Sequence, residues 1–161
     1  MRMEIPSILA LALLTLSATA SAAEHTGRYF THSISQTKTT LPNGNTSTLE
    51  HFYILGSSDD ANDPQNNTAG NCTGNSIAST QGKVLSFTGI CFREDSEGNT
   101  FSYWWKMDEA GTARCPGSCG SYRILGGTGK FKGLTGSGTF VHDRDFSDGG
   151  SGTSKGTYQM P

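Results

Sequence analysis

Six side chains in this sequence could move a proton or hold a developing charge: His32, His51, Tyr53, Glu94, Tyr103 and Arg123. A buried histidine or carboxylate can accept and return a proton, a tyrosine can donate a hydrogen bond, and an arginine can hold an anion. No Ser-His-Asp order, metal triad or telling pair of carboxylates accompanies them. If the chain catalyses a reaction, His51, Tyr53, Tyr103, Arg123 and His32 form the candidate catalytic set. The polar run His142-Asp143-Arg144-Asp145 reads instead as an exposed loop.

The run Gly126-Gly127-Thr128-Gly129-Lys130 looks superficially like a phosphate cradle. A phosphate loop needs a glycine five residues before the Gly-Lys pair and a hydroxyl residue after it, and Ile124 and Phe131 hold those positions. No helix pattern follows, which also removes the dinucleotide fingerprint. Four cysteines, Cys72, Cys91, Cys115 and Cys119, form an even set; their spacing and the scattered histidines suit two disulfides better than zinc. Three pairings are open, and Cys72–Cys91 across neighbouring strands with Cys115–Cys119 around Pro116-Gly117 is preferred.

The elements that must position these groups are strands. Strand signals recur near residues 27–36, 47–56, 72–79, 83–93, 99–108, 120–125, 130–141 and 152–159, and no amphipathic helix pattern interrupts them. Turn chemistry separates them at Pro42-Asn43-Gly44, Gln81-Gly82, Glu97-Gly98-Asn99, Pro116-Gly117 and Asp148-Gly149-Gly150. The polar stretch from Gly56 to Gly70 reads as a solvated loop at a barrel mouth; its three aspartates lack the order of a calcium loop. The stretch Leu125–Phe140 holds six of the 21 glycines, which suits a tight turn followed by a sharply bent strand with a small inner face. The sequence therefore predicts a single all-β domain, an eight-stranded antiparallel up-and-down barrel, with an open sandwich as the alternative.

Alternation assigns side chains to faces but leaves open which face is the lumen. Leu49, His51, Tyr53 and Leu55 share one side of the second strand, opposite Glu50, Phe52 and Ile54. Phe101, Tyr103, Trp105 and Met107 share one side of the fifth, opposite Thr100, Ser102, Trp104 and Lys106. Both faces are bulky, which a half-solvated sheet avoids. One must fill or line a lumen, and the other must be covered by a loop or a partner subunit. Phe101, Trp105, Phe131 and Leu55 are the expected ligand-contacting groups, since aromatic walls suit a small hydrophobic or aromatic molecule.

Arg2 followed by the apolar run Ile8–Leu16 and by Ala20-Ser21-Ala22 reads as a secretory leader, residues 1–22, too short to span a bilayer. It leaves residues 23–161 as the domain, secreted or periplasmic. Net charge is −2 without a basic patch or a second apolar span, which argues against nucleic acid and membrane partners.

The segment Gly126-Gly127-Thr128-Gly129-Lys130-Phe131-Lys132-Gly133-Leu134-Thr135-Gly136-Ser137-Gly138-Thr139-Phe140 resembles the signature of the allene oxide cyclase and dirigent-like barrel superfamily, in particular its small secreted members. The resemblance implies an eight-stranded barrel, typically a homotrimer. It also implies a reactive hydrophobic or phenolic intermediate held in the lumen and steered through cyclisation or coupling without a cofactor. Outside that segment no motif aligns residue by residue. Three functions are thus open: a cofactor-free isomerase, cyclase or lyase, a non-catalytic ligand-binding barrel, and a structural or surface-interaction module.

Overall fold

The computed structural model describes residues 22–108, 115 and 117–160. Eight antiparallel strands pair in sequence order and close into a barrel: β1 (Ala23–Thr40), β2 (Thr46–Ser58), β3 (Thr68–Ala78), β4 (Val84–Glu94), β5 (Thr100–Met107), β6 (Ser118–Gly127), β7 (Thr135–Phe146) and β8 (Gly149–Gln159). Closure is made by β1, which pairs with β2 from Gly27↔Ser58 and with β8 from Ala23↔Tyr158. Around the closed ring every strand has a partner on both sides; beyond it, the end of β1 after Ser33 pairs only with β2 and the start of β4 before Thr88 only with β3. The expected leader lies outside the described residues except for Ala22, as does Pro116 of the expected Pro116-Gly117 turn.

Local chemistry explains the short connections. Gly44, Gly82 and Gly98 take φ of 81°, 82° and 82°, which the hairpin turns at these positions require. Alternation then fixes the interior. Phe52, Cys72, Cys91, Tyr103 and Ile124 are successive cross-strand partners from β2 to β6, and all five point inward. Cys72 and Cys91 form a disulfide with their Cα atoms 4.0 Å apart, and Cys115 pairs with Cys119.

The two ends of the barrel differ. The mouth carries the β1–β2, β3–β4 and β7–β8 turns. The opposite end, the floor, is sealed by the β2–β3 connection, the β4–β5 turn and the β6–β7 connection, with the start of β1 and the end of β8 beside them. Phe101, Phe131, Leu134 and Tyr158 are buried there, each contributing roughly 1.5–3 kcal/mol through removal from water.

Four sequence expectations change. The seventh strand begins at Thr135 and not at residue 130, because Gly126, Gly129 and Gly133 at φ of 137°, 55° and 80° break the extended path. Between them Gly129–Phe131 forms one 3₁₀ turn that inserts Phe131 into the floor. The Gly56–Gly70 stretch is not a solvated loop: its ends belong to β2 and β3, while Asp63, Gln65 and Thr68 are buried. His142–Asp145 lies within β7, where His142 faces inward. Gly149 and Gly150 open β8, and the turn is made by Ser147 and Asp148.

Candidate functional site

Small residues on several strands leave room for large ones on others. Trp105 lies over Gly89, where a Cβ would come within 2.6 Å of the indole. Tyr122 reaches across to Gly138 and Gly156, whose absent Cβ atoms would stand 2.6 and 2.4 Å from its hydroxyl oxygen. The glycines of β7 and β8 thus let one wall bend close while the aromatic side chains of β5 and β6 occupy the interior. They do not fill it. A cavity of about 360 Å³ remains between mouth and floor, with Phe52, Phe87, Tyr103, Trp105, Tyr122 and Phe140 as its aromatic wall. That volume is at the lower end of small-molecule sites.

Three edge-to-face contacts hold the wall: Phe87–Trp105 at 4.9 Å, Phe52–Trp105 at 5.9 Å and Tyr103–Tyr122 at 6.0 Å between ring centroids. Two polar atoms within this wall, Trp105 Nε1 and Tyr122 Oη, are buried without a hydrogen-bonding partner. Each unmade bond costs about 1–3 kcal/mol. A ligand acceptor at either atom would recover it.

The floor is a polar network. His25 Nδ1 contacts the Asp63 carboxylate, and its Nε2 lies 2.8 Å from Ser154 Oγ. Gln65 donates to Tyr158 Oη at 2.8 Å and accepts from Arg93 Nη1 at 2.9 Å. Arg93 Nη2 also donates to the Gln65 and Thr68 carbonyls, and the guanidinium stands 5.7 Å from the Phe101 ring centre. At the mouth, Tyr29 Oη lies 3.3 Å from His142 Nδ1, and His142 Nε2 lies 2.9 Å from Asp145 Oδ1. Glu50 accepts from Ser33 Oγ and Gln36 Nε2 nearby.

Burial sets the protonation of the phenols. It pushes Tyr122 up to about 12 and raises Tyr103, against the opposing charge of Arg93. Tyr29 is raised by burial first and then by Asp143 and Tyr103, and Tyr158 by burial together with Tyr122 and Asp63. All four are therefore neutral hydrogen-bond donors at ordinary pH. Among the described residues no three His, Cys, Asp or Glu side chains gather as a metal site.

Of the residues singled out by sequence, Tyr103 and Trp105 line the cavity. Phe101 and Phe131 pack edge-to-face at 5.0 Å in the floor, below the cavity. The others are on the wrong side of the sheet. His51, Tyr53 and Leu55 occupy the outer face of β2, where His51 pairs with Thr73 Oγ1. His32 is on the outer face of β1 beside Asp148, and Arg123 is exposed on β6. The reason is register: Phe52 and Ile54 point inward, so their odd-numbered neighbours cannot. Tyr29, Arg93, Tyr122 and His142, none of them in the expected site, line the cavity as well. The expected Cys72–Cys91 bond was the available signal, since a buried disulfide marks the inner face of β3 and β4 and, through pairing, that of β2 and β5.

No protein-family model matches the sequence, and no curated protein matches it. Among solved structures, the pterocarpan synthase dirigent protein superposes with a TM-score of 0.51, covering 89% of this chain and 88% of that one. The chain has the dirigent-like barrel fold. The two sequences are 14% identical, so the likeness is one of fold. In this dirigent-like barrel the lumen is open at one end, aromatic on its walls and polar on its floor.

Proposed function

We propose that this barrel binds a small aromatic or phenolic molecule in its lumen and steers a cofactor-free isomerisation, cyclisation or lyase step by confinement. The observation that carries the reading is the cavity itself, walled by Phe52, Phe87, Tyr103, Trp105, Tyr122 and Phe140. An aromatic ligand of this kind replaces water at the walls and stacks on these rings. The solved protein of similar fold is named a pterocarpan synthase, and ring closure of a reactive phenolic intermediate is chemistry that a dry, shaped lumen favours by orientation and exclusion of water.

Within that reading the protonated hydroxyls of Tyr103 and Tyr122 stabilise charge developing on the substrate oxygen. Tyr29, His142 and Asp145 form a path by which a proton passes between the lumen and solvent at the mouth. The enzyme works after export, in an oxidising compartment that supports both disulfides. A non-catalytic binding barrel would have the same cavity and would differ in showing no turnover.

Isothermal titration of the mature chain with naphthol tests the binding. One site per chain is expected, abolished by Ile54→Trp, which fills the lumen. Binding that survives Ile54→Trp in a folded protein would place the ligand elsewhere and reject the reading.

A further inference from the structure

The floor of the lumen holds a cation that nothing answers. Arg93 is 2% exposed, yet among the described residues no carboxylate lies within ion-pairing distance of it. Its bonded partners are neutral: the Gln65 side chain and the carbonyls of Gln65 and Thr68. Asp63, the carboxylate of the floor network, is turned to His25 and the Gln65 backbone N–H instead. Burying an uncompensated charge is expensive, and such groups are ordinarily paired.

Arg93 lines the cavity, and its Nε is buried with no hydrogen-bonding partner. Tyr103 lies close enough to feel the guanidinium charge. Tyr122 Oη, also unpartnered, packs beside Tyr103. A guanidinium with two protonated phenols beside it is a cluster rich in donors and without a counter-anion. Planar oxyanions fit such a set, since a carboxylate accepts from a guanidinium and from hydroxyls together.

We propose that the ligand of this lumen is an aromatic carboxylate, seated ring-outward with its carboxylate on Arg93, Tyr103 and Tyr122 at the floor. The acid end enters first and neutralises the buried charge. The ring then lies between Trp105 and Phe140, with Glu50 at the mouth repelling a carboxylate placed the other way round. This rests on the lumen-binding reading above and narrows it from aromatic molecules in general to anionic ones.

The test compares naphthoate with its methyl ester by isothermal titration of the mature chain near neutral pH. Naphthoate is expected to bind about tenfold more tightly or better, the range of a charge-assisted hydrogen bond made in a buried site. Arg93→Gln is expected to remove that preference, so that naphthoate and its ester bind alike. Because Arg93 also holds Gln65, that variant can lose its floor, so the unmodified protein supplies a second measurement. Naphthoate affinity should fall as the free acid becomes protonated below about pH 4, and ester affinity should not, within the range where the fold is intact. Equal binding of both compounds, or tighter binding of the ester, overturns the anionic ligand and leaves lumen binding standing. Binding of neither overturns both.

Discussion

Tyr122 concentrates the trade made by single residues in this molecule. Its hydroxyl is buried against two glycines, near Tyr158 and Gln65 but without a well-formed hydrogen bond, a cost that a core selected for stability alone would avoid. Tyr122→Phe is therefore expected to leave the urea midpoint unchanged or to raise stability by up to about 1 kcal/mol, while weakening the binding of naphthol. Loss of stability and retained binding would make the hydroxyl structural. Asp63 and Asp95 point the opposite way. Burial by itself would raise Asp63, but hydrogen bonds from His25 and the Gln65 N–H hold its carboxyl below the usual range. Burial is likewise outweighed at Asp95, which Lys130, 2.7 Å away, and Asn99 hold well below it. A carboxylate depressed in the folded state adds stability that is complete above its unfolded pKa, about 4, and that drains away as pH falls through the folded value. Urea midpoints should thus fall steadily from about pH 5 to pH 2. Asp63→Asn should cost about 2–4 kcal/mol at neutral pH and show a shallower acid decline. An acid limb that is unchanged in the variant would contradict this.

At the scale of elements, the glycines of β7 and β8 do what larger residues cannot. Gly156 faces Tyr122 across the lumen, and even one methyl there meets both the Tyr122 hydroxyl and the Ser137 carbonyl, the latter at 2.4 Å. Gly156→Ala should displace Tyr122 into the cavity and weaken naphthol binding about tenfold or more, with a stability loss of about 1–3 kcal/mol. Unaltered affinity would show that the wall has slack. The glycine-rich stretch, the turn glycines and the alternation of β5 were readable in advance, because each depends on local stereochemistry. The Gly56–Gly70 stretch was not, since Asp63 and Gln65 are buried only through partners such as His25, Arg93 and Tyr158, distant in the chain. Which side of β2 faces the lumen stays open in the sequence for a related reason. His51 and Tyr53 look chemically able, but which face turns inward is decided by closure of the whole sheet, where Phe52 meets Cys72 and Cys72 meets Cys91.

For the whole molecule, the outside of the barrel matters as much as the inside. Phe30, Tyr53, Leu55, Ile90 and Phe92 are exposed on β1, β2 and β4, with Phe30 and Leu55 directly paired. An apolar belt of this kind marks an interface, and the homotrimer expected from the resemblance is the assembly we propose for it. Sedimentation at micromolar concentration should give the mass of three chains, and Phe92→Asp should shift it to one; a monomer in the unmodified protein would contradict the proposal. The function proposed above belongs to the lumen. The most direct measurement is a crystal structure of the mature chain soaked with naphthol. The expected result is the ring in the lumen against Trp105, its oxygen within hydrogen-bonding distance of Tyr122 Oη. A lumen holding only ordered water, with naphthol bound on the outer face or not at all, would contradict it.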